Sequence, residues 1–204
     1  MAKKHGIFGP SRKAIRQQLA EELDADYVKK GFFSQDKVVA YHRNWMITLD
    51  LYTVSTGNSQ VTYTRMRAPY VNRDDFQFHI YRKSIFSGMG KMFGMQDIEV
   101  GYPQFDQDFI IQGNDERKLK MMFENPVVRE FISVQPQISL KIKEDNGWFQ
   151  EKFPDGVNEL YFEVPRIIKD IDRLHDLYEL FAEVLEHLCA IGTAYEDDPE
   201  WDYK

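Results

Sequence analysis

QISLKIKEDNGWFQEKFPDGVNELYFEV, residues 137–164, holds the clearest alternation in the chain. Ile138, Leu140 and Ile142 point one way and Ser139, Lys141 and Lys143 the other, which is the period of a strand. Asn146-Gly147 follows, the strongest short hairpin signal, so Trp148–Phe153 is expected to return antiparallel. Beyond the turn residues Pro154, Asp155 and Gly156, the residues Leu160, Phe162 and Val164 supply a third strand. Such a meander can keep one face wet, and its other face needs a cover.

The end of the chain provides one. Ile167, Ile171, Leu174, Tyr178, Phe181, Leu185 and Leu188 recur every three or four residues, and Leu177, Val184 and Ile191 widen the stripe. A stripe this wide suits a helix lying on a sheet better than the narrow seam of a coiled coil. Gly192 is placed to stop it.

Upstream, Ser11 caps a helix predicted to run to Leu23, with Ile15, Leu19 and Leu23 on one face and Gly31 closing the region. Trp45, Ile47, Leu49 and Leu51 alternate with Met46, Thr48, Asp50 and Tyr52, and Gly57-Asn58 separates them from a second strand, Val61–Ala68. Residues 45–68 are thus a predicted hairpin. Phe76, Phe78 and Ile80 mark another strand, and the Gly/Met-rich residues 85–95 an irregular connection.

FIIQGNDERKLKMMF, residues 109–123, has the strand, glycine and helix layout of a phosphate cradle. The chemistry argues otherwise. Asn114 is placed to cap the helix, and Asp115 and Glu116 fill its first turn, where their charge would repel an anion. Asn125-Pro126 then restarts a helix through Val127, Val128, Phe131 and Ile132. The predicted fold is α+β: one domain over residues 1–195, a largely antiparallel sheet covered by a long C-terminal helix and shorter helices, with a solvated, disordered acidic tail over 196–204.

The chain has 204 residues, 43% hydrophobic and 29% charged, with a net charge of −7. Overall acidity disfavours duplex nucleic acid as a partner. Cys189 is the only cysteine, so no intrachain disulfide forms. The start lacks the apolar run of a signal peptide, and no segment has the apolar length of a spanning helix, so the cytoplasm is the expected compartment.

Motifs with chemistry are sparse. SGMGK, residues 87–91, fails the GxxxxGK[ST] pattern. In the same loop Met89, Lys91, Met92 and Phe93 can form an adaptable contact surface. The histidines, His5, His42, His79, His175 and His187, are scattered, so neither a metal nor another cofactor is expected. Asp97 with Glu99 and Asp106 with Asp108 are carboxylate pairs of a kind that arises easily among 33 acids. Ser87 lacks a nucleophile elbow, and Cys189 lies beside the apolar stripe as a packed thiol. Arg65 and Arg67 share a strand face with Val61 and Tyr63 and can grip a carboxylate or phosphate, with ion pairing to the chain's own acids as the simpler reading.

The stretches WMITLDLYTVSTGNS (45–59), TYTRMRAPYVN (62–72), IYRKSIFSGMGKMFGMQDIEVG (80–101) and FDQDFIIQGND (105–115) resemble members of a bacterial family of uncharacterised cytosolic proteins. The resemblance spans most of the chain, and since the family has no assigned activity it implies a folded bacterial protein and no site residues. The functional expectation is a non-catalytic cytoplasmic binding or adaptor module, meeting a protein partner or a small anionic ligand through Arg65, Arg67 and the loop residues Met89, Lys91, Met92 and Phe93. The alternative is a hydrolase with dispersed carboxylates, requiring a pocket that gathers His79 with Asp50, Asp106 or Asp108. Membrane contact through the basic start with Ile7 and Phe8 is disfavoured by its few apolar residues.

Overall fold

Every stretch read at a period of two that lies in the described residues enters the same sheet. The structure, a computed structural model, describes residues 11–29, 36–85, 96–143, 153–201 and 203. In chain order these form α1 (Arg12–Glu22), β1 (Asp26–Val28), β2 (Lys37–His42), β3 (Trp45–Thr56), β4 (Ser59–Val71), β5 (Phe78–Arg82) and a 3₁₀ turn at Lys83–Ile85. Then come β6 (Gln96–Asp97), α2 (Pro103–Asp108), β7 (Phe109–Gly113), α3 (Glu116–Glu124), α4 (Pro126–Ser133), β8 (Ser139–Lys143), β9 (Val157–Val164) and α5 (Ile171–Ala190). The strands lie in the order β1-β2-β3-β4-β9-β8-β5-β7-β6, antiparallel throughout the described residues. The fold is α+β.

The closing helix does cover the sheet. Leu174, Leu177, Phe181, Val184, Leu185 and Leu188 of α5 join Met66, Leu140, Phe162, Ile80 and Ile111 from the strands in a continuous apolar cluster. Burying side chains such as Phe162 and Phe181 fully is worth roughly 2–3 kcal/mol each, which holds the helix against the strands. Ile15 and Leu19 of α1, Leu119 and Phe123 of α3, and Val128 and Ile132 of α4 complete that layer. Asp170 caps α5 by accepting from Arg173 N, and Gly192, at φ +78°, lets the amide of Thr193 reach back to Leu188 O.

Local signals mark several boundaries. Ser11 caps α1 through Ala14 N, and Asn125 both ends α3 and caps α4, accepting from Val127 N and Val128 N. The cap of α3 is Asp115, which accepts from Lys118 N at 3.0 Å, and not Asn114. Asn114 is recruited by the neighbouring chain, accepting from Gln77 N and donating to Asp75 O. At Gly113 a Cβ would stand 2.6 Å from Leu119 Cδ1 and 2.8 Å from Gln77 O, so the glycine serves a close strand-to-helix approach.

Two expectations are corrected. β8 has β9, the expected third strand, as its direct antiparallel neighbour, Leu140 opposite Phe162; Asn146-Gly147 and residues 148–152, where the returning strand was expected, fall outside the described residues, as does Gly31. The acidic stretch 196–204 is not a wholly solvated tail, because Pro199 and Tyr203 are buried and Lys37 Nζ donates to Tyr203 O at 2.9 Å. Glu196, Asp197, Asp198 and Glu200 are exposed, while Tyr203 packs against Val39 and Met46 of the sheet.

Candidate functional site

The period that turns Leu140 and Phe162 towards the helices turns their neighbours to the opposite face. There, register places Asp97, Gln112, His79, Lys141, Tyr161, Arg67 and Thr48 in one row, each opposite the next on an adjacent strand. Asp50 and Tyr52 of β3, Arg65 of β4, Glu159 and Glu163 of β9, and Ser139 and Lys143 of β8 flank it. The sequence assigns such a face to water. Its centre is instead covered, with Gln112 1% exposed, His79 and Tyr161 3%, and Glu159 4%, while Asp97 at the end of the row is exposed. Tyr203, packed with Val39 and Met46, and Phe153 against Trp201 lie on this side.

One half of the face is closed on itself. Arg65 donates to both oxygens of Asp50, at 2.8 and 2.7 Å, and Arg67 donates to Asp50 Oδ2 at 2.8 Å. Burial opposes the charge of Arg65, but the hydrogen bonds and charge of Asp50 outweigh it and raise its pKa. Arg67 lies under the Tyr203 ring, 3.7 Å from the centroid, and 3.9 Å from Glu159, whose carboxylate accepts the Tyr203 hydroxyl at 2.6 Å. Burial raises the pKa of Glu159 despite the opposing pull of Arg67. The structure thus brings Arg65 and Arg67 together around an internal carboxylate.

The other half is less complete. Glu163 accepts from Tyr52, from Tyr161 at 2.8 Å and from Lys141 at 3.4 Å. Burial pushes its pKa up, and these partners more than reverse that. Lys143 sits over the Tyr161 ring, 3.1 Å from the centroid, with no carboxylate in ion-pair range among the described residues. Burial, then the neighbouring Lys141, draws the Lys143 pKa down to about 8. The same two influences lower His79 to about 4, so its ring is neutral at pH 7. His79 Nε2 lies 3.0 Å from Ser139 Oγ, while its Nδ1 has no partner among the described residues. Gln112 Nε2 donates to Asp97 at 2.7 Å, and its Oε1 is likewise unpartnered.

No family model matches the chain, and no curated protein matches it. Among solved structures, the crystal structure of the mycobacterial trehalose monomycolate transport factor A, TtfA, is similar, with a TM-score of 0.50 and 10% identity over 86% of this chain and 95% of that one. At that identity the likeness is one of fold.

The remaining candidates do not converge. Asp106 accepts from the amides of Val100 and Gly101, Asp108 faces Arg82 at 3.9 Å, and Glu99 is exposed, so neither carboxylate pair is set for acid and base work. His42 pairs with Glu186 at 2.6 Å, and His187 meets Met121 O. Among the described residues no group of three or more His, Cys, Asp or Glu could hold a metal ion, and no helix is long and apolar enough to cross a membrane. Burial raises the pKa of the Cys189 thiol, which disfavours the thiolate. His79 faces Ser139 and Lys141, and among the described residues no acid meets its Nδ1 as a hydrolytic triad requires. Met89, Lys91, Met92 and Phe93 lie outside the described residues. Sequence reasoning did not single out Lys141, Lys143, Tyr161, Glu163 or Gln112 as site residues. The available signal was opposite charge on facing strands, Lys141 and Lys143 against Glu159 and Glu163.

Proposed function

We propose that the chain is a non-catalytic cytoplasmic binding module that receives a small anionic ligand at Lys143, on the polar face of the sheet. The observation that carries this reading is Lys143 itself, a half-buried cation held on an aromatic ring with no carboxylate partner among the described residues. Around it, among the described residues, the acids Asp50, Glu159 and Glu163 lie with the cations Arg65, Arg67 and Lys141. Buried ionic groups are poor stabilisers, since apolar side chains of similar size serve as well or better, and clusters of perturbed ionisable groups gather at functional sites. By its name TtfA is a transport factor. A non-catalytic role of that broad kind agrees with His79, whose Nδ1 meets no acid among the described residues.

Isothermal titration calorimetry with inorganic phosphate and with acetate tests the reading. The wild type is expected to bind at least one of them, and Lys143→Gln to lose roughly tenfold or more in affinity, the worth of a charge-assisted hydrogen bond. Lys13→Gln, an exposed control on α1, should bind as the wild type does. Failure of both anions to bind, or equal losses in the two variants, would overturn it.

A further inference from the structure

We infer that Lys143 holds its anion covalently, as an imine formed with a small 2-oxo acid, so that the ligand class is a carboxylate with a carbonyl on the neighbouring carbon. This deepens the proposed anion site and rests on it. Lys143 and Lys141 lie two apart on β8 and stand over the same Tyr161 ring, 3.1 and 5.2 Å from its centroid. Lys141 has Glu163 at 3.4 Å, whereas Lys143 meets no acid within ion-pair reach among the described residues. The amine is half-buried, held in place yet open to a small molecule. Register leaves it one flank: β5 pairs with β8 as far as His79 opposite Lys141, while Lys143 is matched across to Glu159 of β9.

A lysine crowded by a second cation and partly withdrawn from water is the setting in which an amine gives up its proton and becomes a nucleophile. Burial acts most strongly against the ammonium, then Lys141; Glu159 and Glu163 of β9 favour it by less, and Arg65 of β4 adds to the opposition. The attraction of the Tyr161 ring for a cation is smaller than that combined opposition. With its pKa near 8, about a tenth of Lys143 is neutral at pH 7, against roughly one in two thousand for an ordinary lysine. An ion pair alone has no use for a neutral amine. A carbonyl does. The Nζ lone pair attacks the carbonyl carbon, the C–O π bond breaks and its oxygen takes up the proton that nitrogen releases; loss of water from this carbinolamine leaves the C=N bond, which solvent protonates. No oxidant or reductant takes part, and the positive charge returns to where the ammonium stood. The ligand's own carboxylate then supplies the acid that no described residue brings to Lys143.

Reductive trapping on the full chain tests this. Glyoxylate, the smallest 2-oxo acid, and glycolaldehyde, an uncharged aldehyde of similar size, are each incubated with the protein and sodium cyanoborohydride, and the labelled lysines are located by peptide mass spectrometry. At pH 7 glyoxylate is expected to label Lys143 roughly tenfold or more faster than Lys13, an exposed lysine on α1, and roughly tenfold or more faster than glycolaldehyde labels Lys143. The rate at Lys143 should rise through about pH 8, where an ordinary lysine rises only towards pH 10. Lys143→Arg keeps the charge and should remove the label, and Lys141→Gln, which withdraws the neighbouring cation, should move the Lys143 profile to higher pH. Labelling of Lys143 no faster than of Lys13 would overturn the imine, while binding of phosphate or acetate in the calorimeter would leave the anion site standing. Equal labelling of Lys143 by the two aldehydes would overturn the 2-oxo acid class, and joined to a failure of phosphate and acetate to bind it would fail the anion reading itself.

Discussion

Replacing Asp50 by Asn removes the carboxylate shared by Arg65 and Arg67 while keeping its shape. Arg67 is 8% exposed and Arg65 half-buried, so neither guanidinium has easy recourse to water. Breaking a buried pair by removing one partner costs about 3–5 kcal/mol, because the surviving charge keeps its desolvation penalty and loses its compensation. Arg67 retains Glu159 at 3.9 Å and the Tyr203 ring, which places the expected loss near the lower end of that range. For a chain of this size a kilocalorie corresponds to roughly 2–4 °C, so melting should fall by about 10 °C. Urea denaturation followed by tryptophan fluorescence gives the free energy directly. The double variant Asp50→Asn with Arg65→Gln should lose less than the sum of the single losses, since the second change removes a charge already stranded. A single-variant loss below about 1 kcal/mol, the range of exposed ion pairs, would refute the argument by showing that both arginines reach water and that this face is open.

Gly113→Ala should destabilise by about 1–3 kcal/mol, because the new Cβ would stand 2.8 Å from the backbone oxygen of Gln77, which cannot swing aside; an unchanged urea midpoint would contradict the close packing of β7 on α3. Tyr203→Phe keeps the ring over Arg67 but withdraws the hydroxyl from buried Glu159, for an expected cost of about 1–3 kcal/mol; no loss would mean that the terminal segment does not hold this face. His79 titrates near 4 in the fold against an ordinary value of 6.5, so between those values the unfolded chain binds more protons than the native one. Its contribution is therefore complete above pH 6.5 and lost as pH falls towards 4, at no more than roughly 1.4 kcal/mol per pH unit. His79→Phe should flatten the stability profile in that window, and identical slopes for the two proteins would dispose of the assignment.

The elements that were legible are those whose information is local. Ile15 and Leu19, the stripe from Leu174 to Leu188, and the alternation from Trp45 to Leu51 each state a period within a single stretch, and Ser11, Asn125 and Gly192 mark ends through bonds to residues a few positions away. Where a local rule met a distant competitor the reading slipped. Asn114 satisfies the ordinary requirements of a cap, yet Gln77 and Asp75, some forty positions earlier, take its side chain, and the cap passes to Asp115. Of the candidate site, Arg65 and Arg67 were visible as a pair on one strand. Their engagement by Asp50 depends on the register of β3 against β4.

The sequence alone determined the fold class and which side chains share a face, because backbone geometry imposes periods of two and 3.6 on any chain whatever surrounds it. It also determined that the long apolar helix would seek the sheet. Only the tertiary structure decided the strand order, with β9 beside β4, and the fate of the polar face. Alternation assigns a residue to a side of the sheet, but whether that side meets water depends on what returns to cover it, and Tyr203 reaches Glu159 from 44 positions away and Lys37 from 166. A row of lysines, tyrosines and glutamates that would be ordinary surface on an open sheet becomes, once covered, a set of strained ionisations and unmet hydrogen bonds, and that burial is what turns it into a candidate site.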